Sequence, residues 1–248
     1  MSDLRLGLGD PIRHEESAYD PKTPGMHRIT GAAPPEGRDP LLPDALIGVA
    51  RGGEWRSTET ITYALSQGVS VNIGESVTWE NPSFPLRSYV ARFREGRRGL
   101  RSRTGELGAK VALGVLKETY AATGGALAPH LSADAEVAAQ QARNPLYRPH
   151  WAGSLISRAR VDVLRNLDKI EARPFAANVD EVFFATDDPS PDALGLRIGD
   201  EWGQWSVKTS PLPMDAVIEA IDSCCRSGRA PQPAPLLKRV REIRDGRR

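Results

Sequence analysis

The stretch that decides the fold runs from Asn144 to Lys208. It reads N-P-L-Y-R-P-H-W over 144–151, A-A-N-V-D-E-V-F-F-A-T-D-D-P over 176–189 and G-Q-W-S-V-K over 203–208. Between the first two pieces, Trp151, Leu155, Ala159, Val163, Leu167 and Ile170 form one apolar stripe, which predicts an amphipathic helix from His150 to about Ile170. Pro149 stands at its first turn, where a missing N–H costs nothing. Phe175–Asn178 and Val182–Thr186 are rich in apolar or aromatic side chains, as buried strands are. They predict a hairpin whose tip is Asn178-Val179-Asp180-Glu181, and Trp205–Lys208 reads as a third short strand. Antiparallel strands mixed with long helices predict an α+β fold, a small antiparallel sheet packed with helices.

Working outward, the same reasoning places the other elements. Residues 1–45 are rich in Pro, Gly and charge and read as an extended arm with short strands at most, His27-Arg28-Ile29-Thr30-Gly31 being one candidate; Gly31–Pro43 reads as a loop and Leu46–Ala50 as another strand candidate. Ser57 or Thr58 caps a helix that Gly68 ends, with Ile61, Ala64 and Leu65 on one face. Val69, Val71 and Ile73 alternate as in a half-buried strand, which Val77–Trp79 continues. A helix starts near Pro85 with Leu86, Tyr89, Val90 and Phe93 as its apolar stripe. A second runs from Thr104 to Thr123, with Leu107, Val111, Val115 and Thr119 recurring every four residues and Gly124-Gly125 as its stop. Residues 126–148 read as a weakly patterned connection. Met214–Cys224 and Leu236–Ile243 are predicted helices. The resulting division is an arm over 1–57, an α+β domain over 58–210 and a helical segment with a basic tail over 211–248.

Composition fits a globular chain of one large or two small domains. No apolar run approaches the roughly 18 residues of a membrane helix, and the first residues lack the apolar core of a signal peptide; the expected setting is cytoplasmic, with no membrane partner. Cys224 and Cys225 are adjacent, a poor arrangement for a structural disulfide. The four histidines, His14, His27, His130 and His150, show no metal-ligand spacing and are expected at the surface. Asp187, Asp188 and Asp192 read as a solvated loop.

Net charge is only +1, but its distribution is uneven. From Arg87 to Glu118 nine basic residues face three acidic ones, and from Arg226 to the end eight face two. Arginine dominates both clusters, and its planar fork suits phosphate. Local fields of this kind hold a nucleic-acid backbone even when total charge is near zero. Arg92, Arg94, Arg97 and Arg98 are the candidate phosphate contacts, with DNA as the expected partner. A solvated helix face is the plain alternative.

Metal-assisted nucleotidyl transfer needs carboxylates around divalent ions, which activate the attacking hydroxyl and neutralise phosphates. At the hairpin tip Asp180 can ligate a hard cation. Asn178 offers only a neutral carbonyl oxygen, and Glu181 projects to the other side of an extended strand. Asp is also common in turns for local reasons. With a helix ahead of it and V-F-F behind it, this N-V-D-E tip resembles the palm of the family B DNA polymerases, particularly the short bacterial and protein-primed members. The family carries D-T-D-S in this slot: Asp180 matches the second aspartate, Asn178 replaces the first and Glu181 replaces the serine. Gly108–Gly125 resembles the family's fingers helix, with Tyr120 similar to its tyrosine before glycine. Lys110 and Lys117 both miss the lysine spacing of about two helical turns.

The resemblance covers about two-thirds of the chain and implies Asp180 as catalytic residue, Asp180 and Asn178 as ligands for Mg²⁺, and Lys110, Lys117 and Tyr120 as nucleotide-binding residues. The family's other catalytic aspartate would lie ahead of Met1. The implied function is a nucleic-acid-binding, polymerase-like module, partial or catalytically impaired, serving DNA replication of a bacterial mobile element. Two alternatives stand beside it: an active DNA-directed DNA polymerase fragment, and a non-enzymatic regulatory or transfer protein of a plasmid or phage.

Overall fold

A computed structural model describes residues 4–33, 54–103, 105–128, 134–172, 174–178, 181–188, 190–199, 204–207, 214–215, 217–219 and 222. The fold is α+β with antiparallel sheets. The chain divides into two compact units, Met1–Asp162 and Val163–Arg248.

The first unit is built on a four-stranded antiparallel sheet in which β3 (Gly25–Ala33) is an interior strand. It pairs with β4 (Glu54–Ser57) on one side and β5 (Ser70–Thr78) on the other, and β2 (Ile12–His14) closes the far edge against β5. Much of the expected arm is therefore sheet. The strand candidate His27–Gly31 lies within β3, where His27 and Ile29 alternate into the core while Arg28 and Thr30 face out. On the outer side Glu75 accepts from Arg13 at 2.8 Å and lies 3.6 Å from Arg28. A separate ribbon pairs β1 (Leu6–Leu8) with β6 (Asn81–Ser83).

Helix α1 (Thr58–Ser66) joins β4 to β5. Ser57 takes the extended dihedrals of an N-cap, but its hydroxyl makes no capping bond; Thr58 Oγ1 donates instead to the carbonyl of Thr23. The C-terminus follows the sequence closely. Gly68 has φ of +76°, its N–H reaches the carbonyl of Leu65, and that of Val69 reaches Ala64, the paired bonds of a Schellman ending. Ile61 and Ala64 are fully buried under α1, whereas Leu65 is exposed.

Helices α2 (Arg87–Arg101) and α3 (Leu107–Leu127) pack as a hairpin. Tyr89, Phe93 and Tyr120 form an aromatic cluster between them, with ring centroids 4.6 and 5.7 Å apart along the chain. Helix α3 continues through Gly124-Gly125 and ends at Leu127. Its expected core stripe is on the wrong side: Leu107, Val111 and Val115 are exposed, while Ala109 and Leu127 are buried and Leu116 and Tyr120 half-buried. The connection after it contains α4 (Ala135–Ala142), capped by Asp134, which accepts from the N–H groups of Glu136 and Val137.

Helix α5 (Pro149–Leu167) opens on Pro149 as its sequence predicts. Its most buried residues are Ala152, Ser154, Val161, Leu164 and Leu167, a face rotated from the predicted stripe, of which Ala159 is exposed. The start of α5 clasps β1. The Trp151 indole donates to the Gly7 carbonyl at 2.8 Å, and His150 stacks on Trp79 at 4.2 Å. A side chain at Gly7 would overlap Trp79, so the position must be glycine.

In the second unit β7 (Pro174–Asn178) and β8 (Glu181–Phe184) form the expected antiparallel hairpin, with Asn178 opposite Glu181. The third strand expected over Trp205–Lys208 is a single parallel bridge between Ile198 and Trp205. Residues 214, 215, 217, 218, 219 and 222 are helical. Leu46–Ala50, the vicinal cysteines and the Leu236–Ile243 segment lie outside the described residues. No helix among the described residues is long and apolar enough to cross a membrane.

Candidate functional site

The arginine cluster is assembled by a single element. Pro85 precedes α2, and Leu86, Tyr89, Val90 and Phe93 turn one side inward, with Val90 buried. Helical geometry of 3.6 residues per turn then places Arg87, Arg94, Arg98 and Arg101 within roughly 60° of one another around the axis. Arg97 lies at the edge of that band and Arg92 on the opposite flank. Arg87, Arg92 and Arg98 are exposed; Arg94, Arg97 and Arg101 are half-buried. Arg87 lies over the Phe84 ring at 4.3 Å, and Arg103, beyond the helix, is held by Glu106 in a bidentate pair at 3.0 and 2.7 Å. Arg92 and Arg98 join no acidic side chain among the described residues.

Of the nucleotide-binding candidates, Lys110 and Lys117 are exposed on one flank of α3. Tyr120 turns inward against Phe93, and burial pushes its phenol up, Tyr89 adding to the effect and Arg94 opposing it. The tyrosine ring and the two lysines therefore do not share a surface. Asp180 lies outside the described residues, and of Asn178 the structure describes the backbone pairing alone. Among the described residues no group of three or more His, Cys, Asp or Glu could hold a metal ion.

The sequence reading missed a buried polar chain in the sheet. His27, expected at the surface, is fully buried. Its Nδ1 lies 2.9 Å from Ser76 Oγ and its Nε2 3.1 Å from Thr58 Oγ1, with the Tyr19 ring edge-on at 5.5 Å. The Thr58 hydroxyl spends its proton on Thr23, so it accepts from Nε2–H, and Nδ1 accepts from the Ser76 hydroxyl. Ser76 Oγ in turn accepts from the N–H of Ala18. This fixes a neutral imidazole: burial first, and the nearby His14 second, push His27 down to about 4. His150 is likewise held low, chiefly by burial, against the pull of the Gly7 carbonyl.

A second buried group lies at the start of α1. Burial pushes the Glu59 carboxyl up, while its own backbone N–H, the Ser57 and Ser154 hydroxyls and Arg158 pull the other way. Ser57 Oγ and Glu59 Oε2 nevertheless meet no hydrogen-bond geometry, and Arg158 is engaged by Asp162 at 3.0 Å. Neither cluster has a sequence signature. A His in a strand rich in Gly and Thr, and a Glu in the first turn of a helix, are both ordinary at the surface. No family of proteins, no curated protein and no solved structure matches this chain.

Proposed function

We propose that the chain binds a nucleic-acid backbone through α2, as a polymerase-like module of DNA replication whose acidic site is incomplete. The observation that carries this reading is the convergence of Arg87, Arg94, Arg98 and Arg101 on one side of a helix anchored by an aromatic cluster. Arg87 and Arg98, the two exposed members of the band, carry guanidinium groups whose planar fork suits phosphate contacts without base reading. The antiparallel β7–β8 hairpin fits the resemblance to family B polymerases. In that reading Asp180, aided weakly by Asn178, holds a Mg²⁺ ion, and replacement of an aspartate by Asn178 leaves the site short of one charge.

The test is fluorescence anisotropy of labelled single- and double-stranded oligonucleotides across a salt series. Binding is expected at low salt, with little sequence preference and a linear fall of log affinity with log salt. In the doubly substituted Arg87→Gln, Arg98→Gln chain the slope is expected to fall by about 2, one for each lost phosphate contact. Flat anisotropy at low salt, or an unchanged slope in the variant, rejects the assignment.

A further inference from the structure

Helix α3 carries apolar side chains on both sides, and the α2 hairpin covers only one of them. On the uncovered side Leu107 is 78 % exposed and Val111 and Val115 each 61 %. These residues recur at i, i+4 and i+8, so they form a continuous ridge. The ridge is confined to the first half of the helix. Toward the other end the same side carries Ala122 and Gly125, both exposed. Gly114, between the halves, has nothing within 4 Å of where a side chain would begin, and the same holds for Gly125. Glycine weakens a helix interior, and nothing among the described residues uses the room these two leave.

We propose that this side of α3 is an isologous docking surface on which a second copy of the chain lies antiparallel. A face that is large at one end and small at the other is complementary to itself only when reversed. With the two-fold axis crossing the uncovered side at the level of residues 116 and 117, Leu107 of each copy lies over Gly125 of the other and Val111 over Ala122. Gly114 then faces Glu118, which leaves room for that carboxylate to turn to the rim. Under this symmetry the same flanks of the two helices adjoin. Glu118 of each copy thus meets the flank bearing Lys110 and Lys117 of the other, all three exposed in the single chain. A parallel pair would instead set ridge against ridge and Glu118 against Glu118. The surface is distinct from the arginine side of α2, so the inference goes beyond nucleic-acid binding and its failure leaves that reading untouched.

Sedimentation of the full chain tests it. The expected mass is that of two chains at micromolar concentration, and Val111→Glu is expected to return one chain with unchanged helical circular dichroism. A single-chain mass up to about 100 µM, or a dimer indifferent to Val111→Glu, overturns the proposal. Register is read separately in a Cys224→Ser, Cys225→Ser background. An equimolar mixture of Val111→Cys and Ala122→Cys chains is expected to oxidise to the mixed disulfide. Formation of the Val111→Cys homodisulfide alone, or of no disulfide, overturns the antiparallel pairing.

Discussion

Inside the four-stranded sheet, polar side chains are buried and joined to one another; on α3, apolar side chains stand in water. His27, Ser76 and Thr58 are buried in the sheet with every polar hydrogen accounted for, whereas Leu107, Val111 and Val115 are largely exposed. The two regions teach different things about what a sequence is selected to do. A buried polar chain stabilises only when every partner is present, so it specifies one register of strands. An uncovered apolar ridge stabilises nothing in the isolated molecule. Among the described residues the sheet joins its buried polar groups to one another, while the helical hairpin leaves an apolar ridge exposed.

The sharpest way to break this contrast is to remove the imidazole. His27→Ala leaves a cavity and strands the Ser76 and Thr58 hydroxyls, so a loss of about 3 kcal/mol in urea unfolding is expected. A loss under about 1 kcal/mol would mean that the polar chain contributes no more than a surface residue. Acid should act on the same group more gradually. The folded state holds His27 down to about 4 and the unfolded chain binds its proton near 6.5. The contribution is therefore full above 6.5 and is lost as pH falls from there toward 4, by up to about 3 kcal/mol. A urea midpoint that is flat between these limits in the wild type, or that falls equally in a folded His27→Gln chain, contradicts it.

The smallest expected effect sharpens the picture from the other side. Glu59 is raised by burial and lacks a partner for Oε2. A raised acid contributes stability that is present below its unfolded pKa and lost as pH rises through its folded value. Glu59→Gln removes the charge that must be buried at neutral pH, so a gain of about 1 kcal/mol at pH 7 is expected, vanishing in acid. A loss at pH 7 would show that the ionised carboxylate makes a bond that matters, Arg158 being the cation that favours its charge.

Where the sequence spoke clearly, a local rule was sufficient. Gly68 ends α1 because only a left-handed residue allows both closing bonds, and Pro149 opens α5 because its ring needs no donor there. The alternation of β5 is legible for the same reason. Where packing decides, the signal failed. Helix α3 is apolar on two sides, and periodicity cannot tell the side covered by Phe93 from the side left open. Strand β3 is legible over His27–Gly31, and its extension to Gly25 and Ala33 comes from pairing with its neighbours rather than from propensity. The short α4 is announced only by Asp134. For the site, the arginine cluster is plain in composition, but its division into one band plus Arg92 needs the helix. Tyr120 turned inward because the aromatic pair on α2 offers it a better surface than solvent does.

The clasp at Gly7 carries one more consequence, for synthesis on the ribosome. Trp151 is 144 residues beyond the carbonyl it holds. At 5–20 residues per second, roughly 7 to 30 s separate their emergence. During that interval β1 can meet β6, but the indole that fastens it has not been made. The amino-terminal ribbon of each nascent chain thus waits, partly dressed, for the helix that locks it, and a chaperone reaching Trp79 in that window would find it still open.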